Sequence, residues 1–162
     1  MKPLVSLGVV FALFFVSGIC ADSPSAFDQL KSLVGQWQAK GPDGHTVTAS
    51  YELVSGGTAL MERLKPGVDH EMITMYHPDN DSILMTHYCE ANNQPRMQTA
   101  SAEGGKSLTF SFVDVANLKN DEDGHMRNVV LTFVDKDHFN AEWTYREKGK
   151  ETAMLFQFAR VQ

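Results

Sequence analysis

The sequence predicts an all-β fold: a single antiparallel up-and-down barrel of about ten strands, with a short helix before it. Three observations predict it. From Gly35 onward, short runs rich in Val, Thr, Phe and Tyr alternate with Pro, Gly, Asn and Asp punctuation. The links between runs are of hairpin length, which leaves no room for crossover helices and makes neighbouring strands antiparallel. A sheet of that many strands curls on itself, and closure removes the edges that would otherwise template aggregation. The 162 residues are one domain's worth of chain, and 43% of them are hydrophobic, so disorder is excluded as the main state. The 12 Gly and 6 Pro have no period, which excludes collagen-like and low-complexity architectures.

Taken in order, residues 1–21 read as a secretory signal. Lys2 precedes a charge-free run from Pro3 to Ala21, which exits through the small residues Ser17, Gly18 and Ala21. With Ala21 at −1 and Ile19 at −3, cleavage leaves a chain beginning at Asp22, in the periplasm or secreted. An uncleaved anchor is the alternative, because the run approaches the roughly 20 apolar residues of a spanning helix. No basic stop-transfer cluster follows, so stable membrane insertion after cleavage is not expected. Cys20 would be the acylated residue of a lipoprotein, but Ile19 occupies a position that such sites give to a small residue. Once Cys20 is removed, Cys89 is the only thiol and no intramolecular disulfide can form.

Residues 22–34 form a linker and a helix of at most two turns, with Ser25 as N-cap and apolar residues at helical spacing from Ala26 to Val34. Residues 35–162 form the barrel. Strands are predicted near 36–40, 45–54, 57–64, 69–77, 82–89, 95–101, 106–113, 127–135, 138–147 and 151–160. The longer link from Asp114 to Met126 is a loop within one domain. The formal charge of −6, with no Lys or Arg block, excludes a phosphate-backbone binder and gives no attraction to anionic lipid.

Gly35-Gln36-Trp37 opening the first strand after a short helix, together with Arg160 near the end of the last, resembles the calycin arrangement. That grouping contains lipocalins, fatty-acid-binding proteins and the nitrobindin-type haem barrels. The resemblance implies that Trp37 closes the barrel floor and that Arg160 packs over it. The segments around His70, Thr86 to Cys89 and Asn93 to Met97 are also similar to those of uncharacterised exported bacterial proteins, a likeness that brings no activity with it.

Alternation assigns the interior. Phe139, Ala141, Trp143 and Tyr145 face inward against His138, Asn140, Glu142, Thr144 and Arg146, as do Leu108, Phe110 and Phe112 against Ser107, Thr109 and Ser111. For the hairpin 69–77/82–89, a four-residue loop pairs His77 with Ser82, which sets His70 opposite Cys89 and Met72 opposite His87. Carrying that register onward sets Met97 opposite His87. Cross-strand neighbours lie roughly 4.5–5.5 Å apart, so His70, Met72, His87, Cys89 and Met97 would form one inward patch with Tyr76. Imidazole, thiol and thioether are donors for soft metals or haem iron. Met and Cys are equally good core fillers, and a slip of one residue would send half the patch outward.

Other motifs carry less. His70-Glu71-Met72 lacks the second His of a zinc-protease helix and lies in a strand pattern, and no nucleophile elbow, Walker loop or dinucleotide fingerprint is present. Asp121-Glu122-Asp123-Gly124 has Lys119 and Val130 where a calcium loop needs ligands, so it reads as a solvated turn. The function expected is the binding of a small hydrophobic or amphipathic molecule inside the barrel. Trp37, Phe110, Trp143 and Tyr145 would line or close the cavity, and His70, Tyr76, His87 and Arg96 would orient the ligand. The alternatives are a haem or transition-metal carrier using His70, His87 and Cys89, and a thiol-dependent enzyme in which His70 activates Cys89. Glu62, Glu142, Arg96 and Arg146 could supply charge to such an enzyme, with their facing open and exposure the commoner outcome for these residue types.

Overall fold

Ser25 accepts a 3.1 Å hydrogen bond from the Asp28 amide, which caps helix α1 (Ala26–Lys31). The computed structural model describes residues 25–41, 43–67, 70–100 and 104–162, so the signal expected over residues 1–21 lies outside the described residues. Ala26, Phe27 and Leu30 bury one face of α1, and the helix packs against β5 (Ser82–Tyr88).

Alternating burial then makes the strands. They are β1 (Gly35–Lys40), β2 (Thr46–Val54), β3 (Ala59–Gly67), β4 (His70–Asp79), β5, β6 (Gln94–Thr99), β7 (Ser107–Ala116), β8 (His125–Asp135), β9 (His138–Glu147) and β10 (Lys150–Arg160). All pair with their sequence neighbours, and β1 closes on β10 through Trp37 opposite Arg160. The all-β, ten-strand closed antiparallel barrel is therefore observed, with one short helix on its N-terminal side.

The β4–β5 hairpin corrects the expected register. Asp79, not His77, lies opposite Ser82, and the turn is the two residues Asn80 and Asp81. Asn80 takes the left-handed conformation that two-residue hairpin turns require (φ 50°). The ladder thus runs two residues further than expected. Side chains alternate with period two, so this shift changes each residue's partner and leaves its face unchanged. His87 faces Thr74 instead of Met72, and Met97 faces Met85 instead of His87, yet all of these remain buried.

One end of the barrel, the floor, carries α1 and the β4–β5 and β8–β9 turns; the other, the mouth, carries the β5–β6, β7–β8 and β9–β10 links. Trp37 closes the floor. Its indole nitrogen donates to Leu33 O at 2.6 Å, and its ring meets Phe139 edge-on at 4.8 Å. Phe139 stacks on Phe158 at 4.9 Å. The Arg160 guanidinium lies 4.0 Å from the Trp37 ring and donates to Val34 O and Ser32 O at 2.9 Å each, tying the last strand to the helix exit. Gly35 is required at this crossing: its φ is 130°, and a Cβ there would lie 2.8 Å from Arg160 Nη1. Leu60, Tyr76, Met85, Met97, Phe110 and Val129 are all fully buried, so side chains fill the middle of the barrel.

Candidate functional site

Four adjacent strands each send one polar side chain inward along a single row. Tyr51 on β2 lies opposite Glu62 on β3, Glu62 opposite Thr74 on β4, and Thr74 opposite His87 on β5. All four are buried. Tyr51 Oη donates to Glu62 Oε1 at 2.9 Å, and Tyr76 Oη donates to Glu62 Oε2 at 2.7 Å. Thr74 lies opposite Glu62, and its hydroxyl lies 2.9 Å from His87 Nδ1.

A threonine hydroxyl has one proton to give. Given to Glu62, it leaves Thr74 to accept from His87 Nδ1–H and His87 Nε2 with a lone pair; given to His87 Nδ1, it leaves Nε2 as an N–H donor. In either arrangement Nε2 is buried and has no hydrogen-bond partner. Burial holds the imidazole's pKa down at about 4, so the ring is neutral at physiological pH. Burial also pushes the Glu62 carboxyl above its usual range, while the three hydroxyls around it pull the other way. The same burial, with Glu62 beside them, drives the Tyr51 and Tyr76 phenols well above theirs.

His87 is the penultimate residue of β5, at its mouth end, and its ring lies 4.8 Å from that of Trp143 on the far wall. One layer nearer the mouth stand Met72, Met126 and the half-buried Cys89 and Tyr145. Above Tyr145, a recess of about 530 Å³ is walled by Asn93 and the β7–β8 and β9–β10 links. Asn93 is buried, donates through Nδ2 to Gly124 O at 2.8 Å, and leaves its Oδ1 without a partner. Gly124 is the close approach that seats Tyr145, since a Cβ there would lie 1.6 Å from the Tyr145 hydroxyl oxygen. Asp123 spends its carboxylate on the Lys119 and Asn120 amides and the Asn120 side chain, which makes residues 121–124 a capped turn.

Of the residues expected to orient a ligand, Tyr76 and His87 join this chain. His70 and Arg96, expected inside, are outside. His70 lies at the mouth rim, past the last β4–β5 pair and opposite Gly67, where its exposed ring meets Glu90 at 3.0 Å. Arg96 has the outward parity of β6 and is paired with Asp114 across the β6–β7 bulge. Trp37 and Phe110 lie in the packed floor half, whereas Trp143 and Tyr145 border the mouth side. The expected His70, His87 and Cys89 donor set is not assembled, and among the described residues no group of three His, Cys, Asp or Glu is placed to hold a metal ion. Cys89 also lacks an imidazole partner: burial pushes its thiol up, the reverse of what a nucleophile needs.

Sequence reading missed Tyr51 and Thr74, and named Glu62 only as a possible charged group at a position more often exposed. The signal for Glu62 was present, since Leu60, Glu62 and Leu64 share one parity of β3 against Met61, Arg63 and Lys65. A lone carboxylate on an apolar face contradicts the usual exposure of Glu, and its neutralising hydroxyls come from strands that only the barrel brings alongside.

No protein-family model matches the chain, and no curated protein matches it. Solved structures do. A protein of unknown function from the DUF3598 family of Nostoc punctiforme is 14% identical and superposes with a TM-score of 0.59 over 90% of this chain and 53% of its own. This chain thus spans about half the length of that protein. Rv2717c from M. tuberculosis is 13% identical and superposes with a TM-score of 0.59 over 87% of this chain and 100% of its own. At such identities the likeness establishes the barrel fold alone.

Proposed function

We propose that the protein is an exported, calycin-like barrel that holds a small apolar or amphipathic molecule in its mouth-side half, with His87 Nε2 as the polar anchor. The observation that carries this reading is the buried, unpartnered His87 Nε2 at the end of the Tyr51–Glu62–Thr74–His87 row. Buried polar groups are nearly always satisfied, and an orphan in a barrel core needs a function to account for it. A ligand hydroxyl or amide would satisfy it. The Thr74 hydroxyl behind it holds the ring orientation, as supporting groups do at built sites. Trp143, Met72, Met126 and Tyr145 supply the apolar wall. The filled floor half restricts the seat to the mouth side.

Other parts of the reading rest on other observations. The Trp37–Arg160 closure supports the calycin likeness. The hydrophobic run of residues 3–21 and the single remaining thiol support export to the periplasm or medium. The net charge of −6 argues against a nucleic-acid partner.

A haem is the second reading, favoured by the same neutral, buttressed imidazole, which has the donor chemistry of a proximal ligand. The room does not fit: His87 is 1% exposed and its ring already lies against Trp143.

Native mass spectrometry of the protein purified without chelators or added lipid tests both readings. An organic mass excess in the wild type that is lost from a folded His87→Ala variant is the expected result. An apo mass, with no stabilisation by any member of an amphiphile panel, would overturn the carrier reading. A haem-sized excess would replace it with the second.

A further inference from the structure

A second cleft lies at the mouth end beyond the last β7–β8 pair, Ser111 with Asn128, and shares no residue with the His87 chain. It has a volume of about 420 Å³ and sits where the ends of β7, β8 and β9 meet the β7–β8 link. Its cationic groups are Arg127 and Arg146. Arg127 is the extra residue at the β8 bulge between Met126 and Asn128, which turns its guanidinium over the Phe112 ring at 3.9 Å. Arg146 lies opposite His125 on one side and Glu151 on the other. Its Nε is buried without a hydrogen-bond partner. Neither arginine has an ion-pair partner among the described residues, whereas Arg63, Arg96 and Arg160 each have one.

No acidic group at the cleft is ion-paired with either arginine among the described residues. Asp114 is already engaged by Arg96. Asp121 is exposed on the link, and Glu151 borders the adjoining surface with Arg127. Two guanidinium groups and two uncommitted carboxylates thus share the cleft and its border, and neither carboxylate is within ion-pair distance of Arg127 or Arg146 among the described residues. Phe112, Val115 and Leu118 add an apolar wall.

We infer that this cleft binds an amphipathic anion, its head (a carboxylate or phosphate monoester) held between Arg127 and Arg146 and its short apolar tail laid on Phe112, Val115 and Leu118. Arginine matches the chemistry, since its planar fork gives two parallel hydrogen bonds to either head. The buried Arg146 Nε supplies a directed donor that otherwise goes unused. The inference is independent of the interior reading, because no residue is shared.

The test titrates the purified protein with octanoate, octyl phosphate and octanol, following the Arg127 and Arg146 side-chain Nε–H resonances by NMR. Octanoate or octyl phosphate is expected to move both resonances at saturation, and whichever binds more tightly names the head. Octanol is expected to leave them in place. In Arg127→Gln/Arg146→Gln the affinity should fall at least tenfold. Unmoved arginine resonances in the wild type would overturn the inference, and so would an undiminished affinity in the folded double variant. The wild-type resonances decide the matter even if that variant fails to fold. Amphiphile binding that moves His87 and leaves both arginines still would support the interior site and overturn this one.

Discussion

Replacing Tyr76 with Phe removes one oxygen from the barrel centre and tests whether Glu62 is a buried, hydroxyl-held carboxylate. The phenol donates to Glu62 Oε2 at 2.7 Å, and Tyr76 is fully buried, so water cannot replace the lost donor. A hydrogen bond to a charged group contributes about 1.5–3 kcal/mol, and one between neutral groups about 0.5–1.5. The penalty should therefore be about 2 kcal/mol where Glu62 is ionised and about 1 kcal/mol where it is protonated. For a chain of 162 residues, 2 kcal/mol corresponds to a fall in Tm of roughly 4–8 °C. The wild-type background has its own slope. Burial raises the Glu62 pKa on folding, so the folded chain holds that proton more tightly than the unfolded one. This group's contribution is greatest below the unfolded value and declines as pH rises through the folded one. Denaturant midpoints of wild type and variant at pH 4 and pH 8 measure both effects. An equal penalty at the two pH values would refute an ionised Glu62, and a penalty below about 0.5 kcal/mol would refute the hydrogen bond itself.

His87 gives the opposite slope. A pKa of about 4 in the fold, against 6.5 unfolded, corresponds to about 3 kcal/mol that is fully present above 6.5 and lost as pH falls toward 4; His87→Phe should lose this acid limb in a denaturation series. Gly124→Ala should cost about 1–3 kcal/mol by driving a methyl into the Tyr145 hydroxyl, and should be nearly neutral in a Tyr145→Ala background, which a double-mutant cycle of melting temperatures reads directly. Arg160→Lys should cost about 2 kcal/mol, because lysine keeps the charge over Trp37 but cannot donate to Val34 O and Ser32 O together; melting and Trp37 fluorescence report it.

Hydropathy and turn punctuation made the barrel legible in advance. All ten strands lie within a few residues of their expected positions, because period-two alternation and Gly, Asn and Pro breakers are local properties of the chain. Parity was legible too: Met72, Tyr76, His87, Met97 and Trp143 face inward as expected. Loop geometry was not, so the β4–β5 register came out two residues away; the choice between a two- and a four-residue turn rests on whether Asn80 takes a positive φ. That error moved partners without moving faces, which is why the expected interior survived it. His70 went astray because parity cannot show that a strand end lies past its partner, whereas the face of Arg96 was legible, since it neighbours the inward Met97 on a strictly alternating strand.

The site depended on what a linear pattern does not contain. Tyr51, Glu62, Thr74 and His87 are spread over 37 positions of sequence yet form one row, because three successive antiparallel registers set each directly opposite the next. Local composition dictates which face each residue takes, since burial of apolar surface acts on every strand separately. Which polar groups share a hydrogen bond is decided only on closure, when the strands' relative offsets are set and the low-dielectric interior makes those pairings matter.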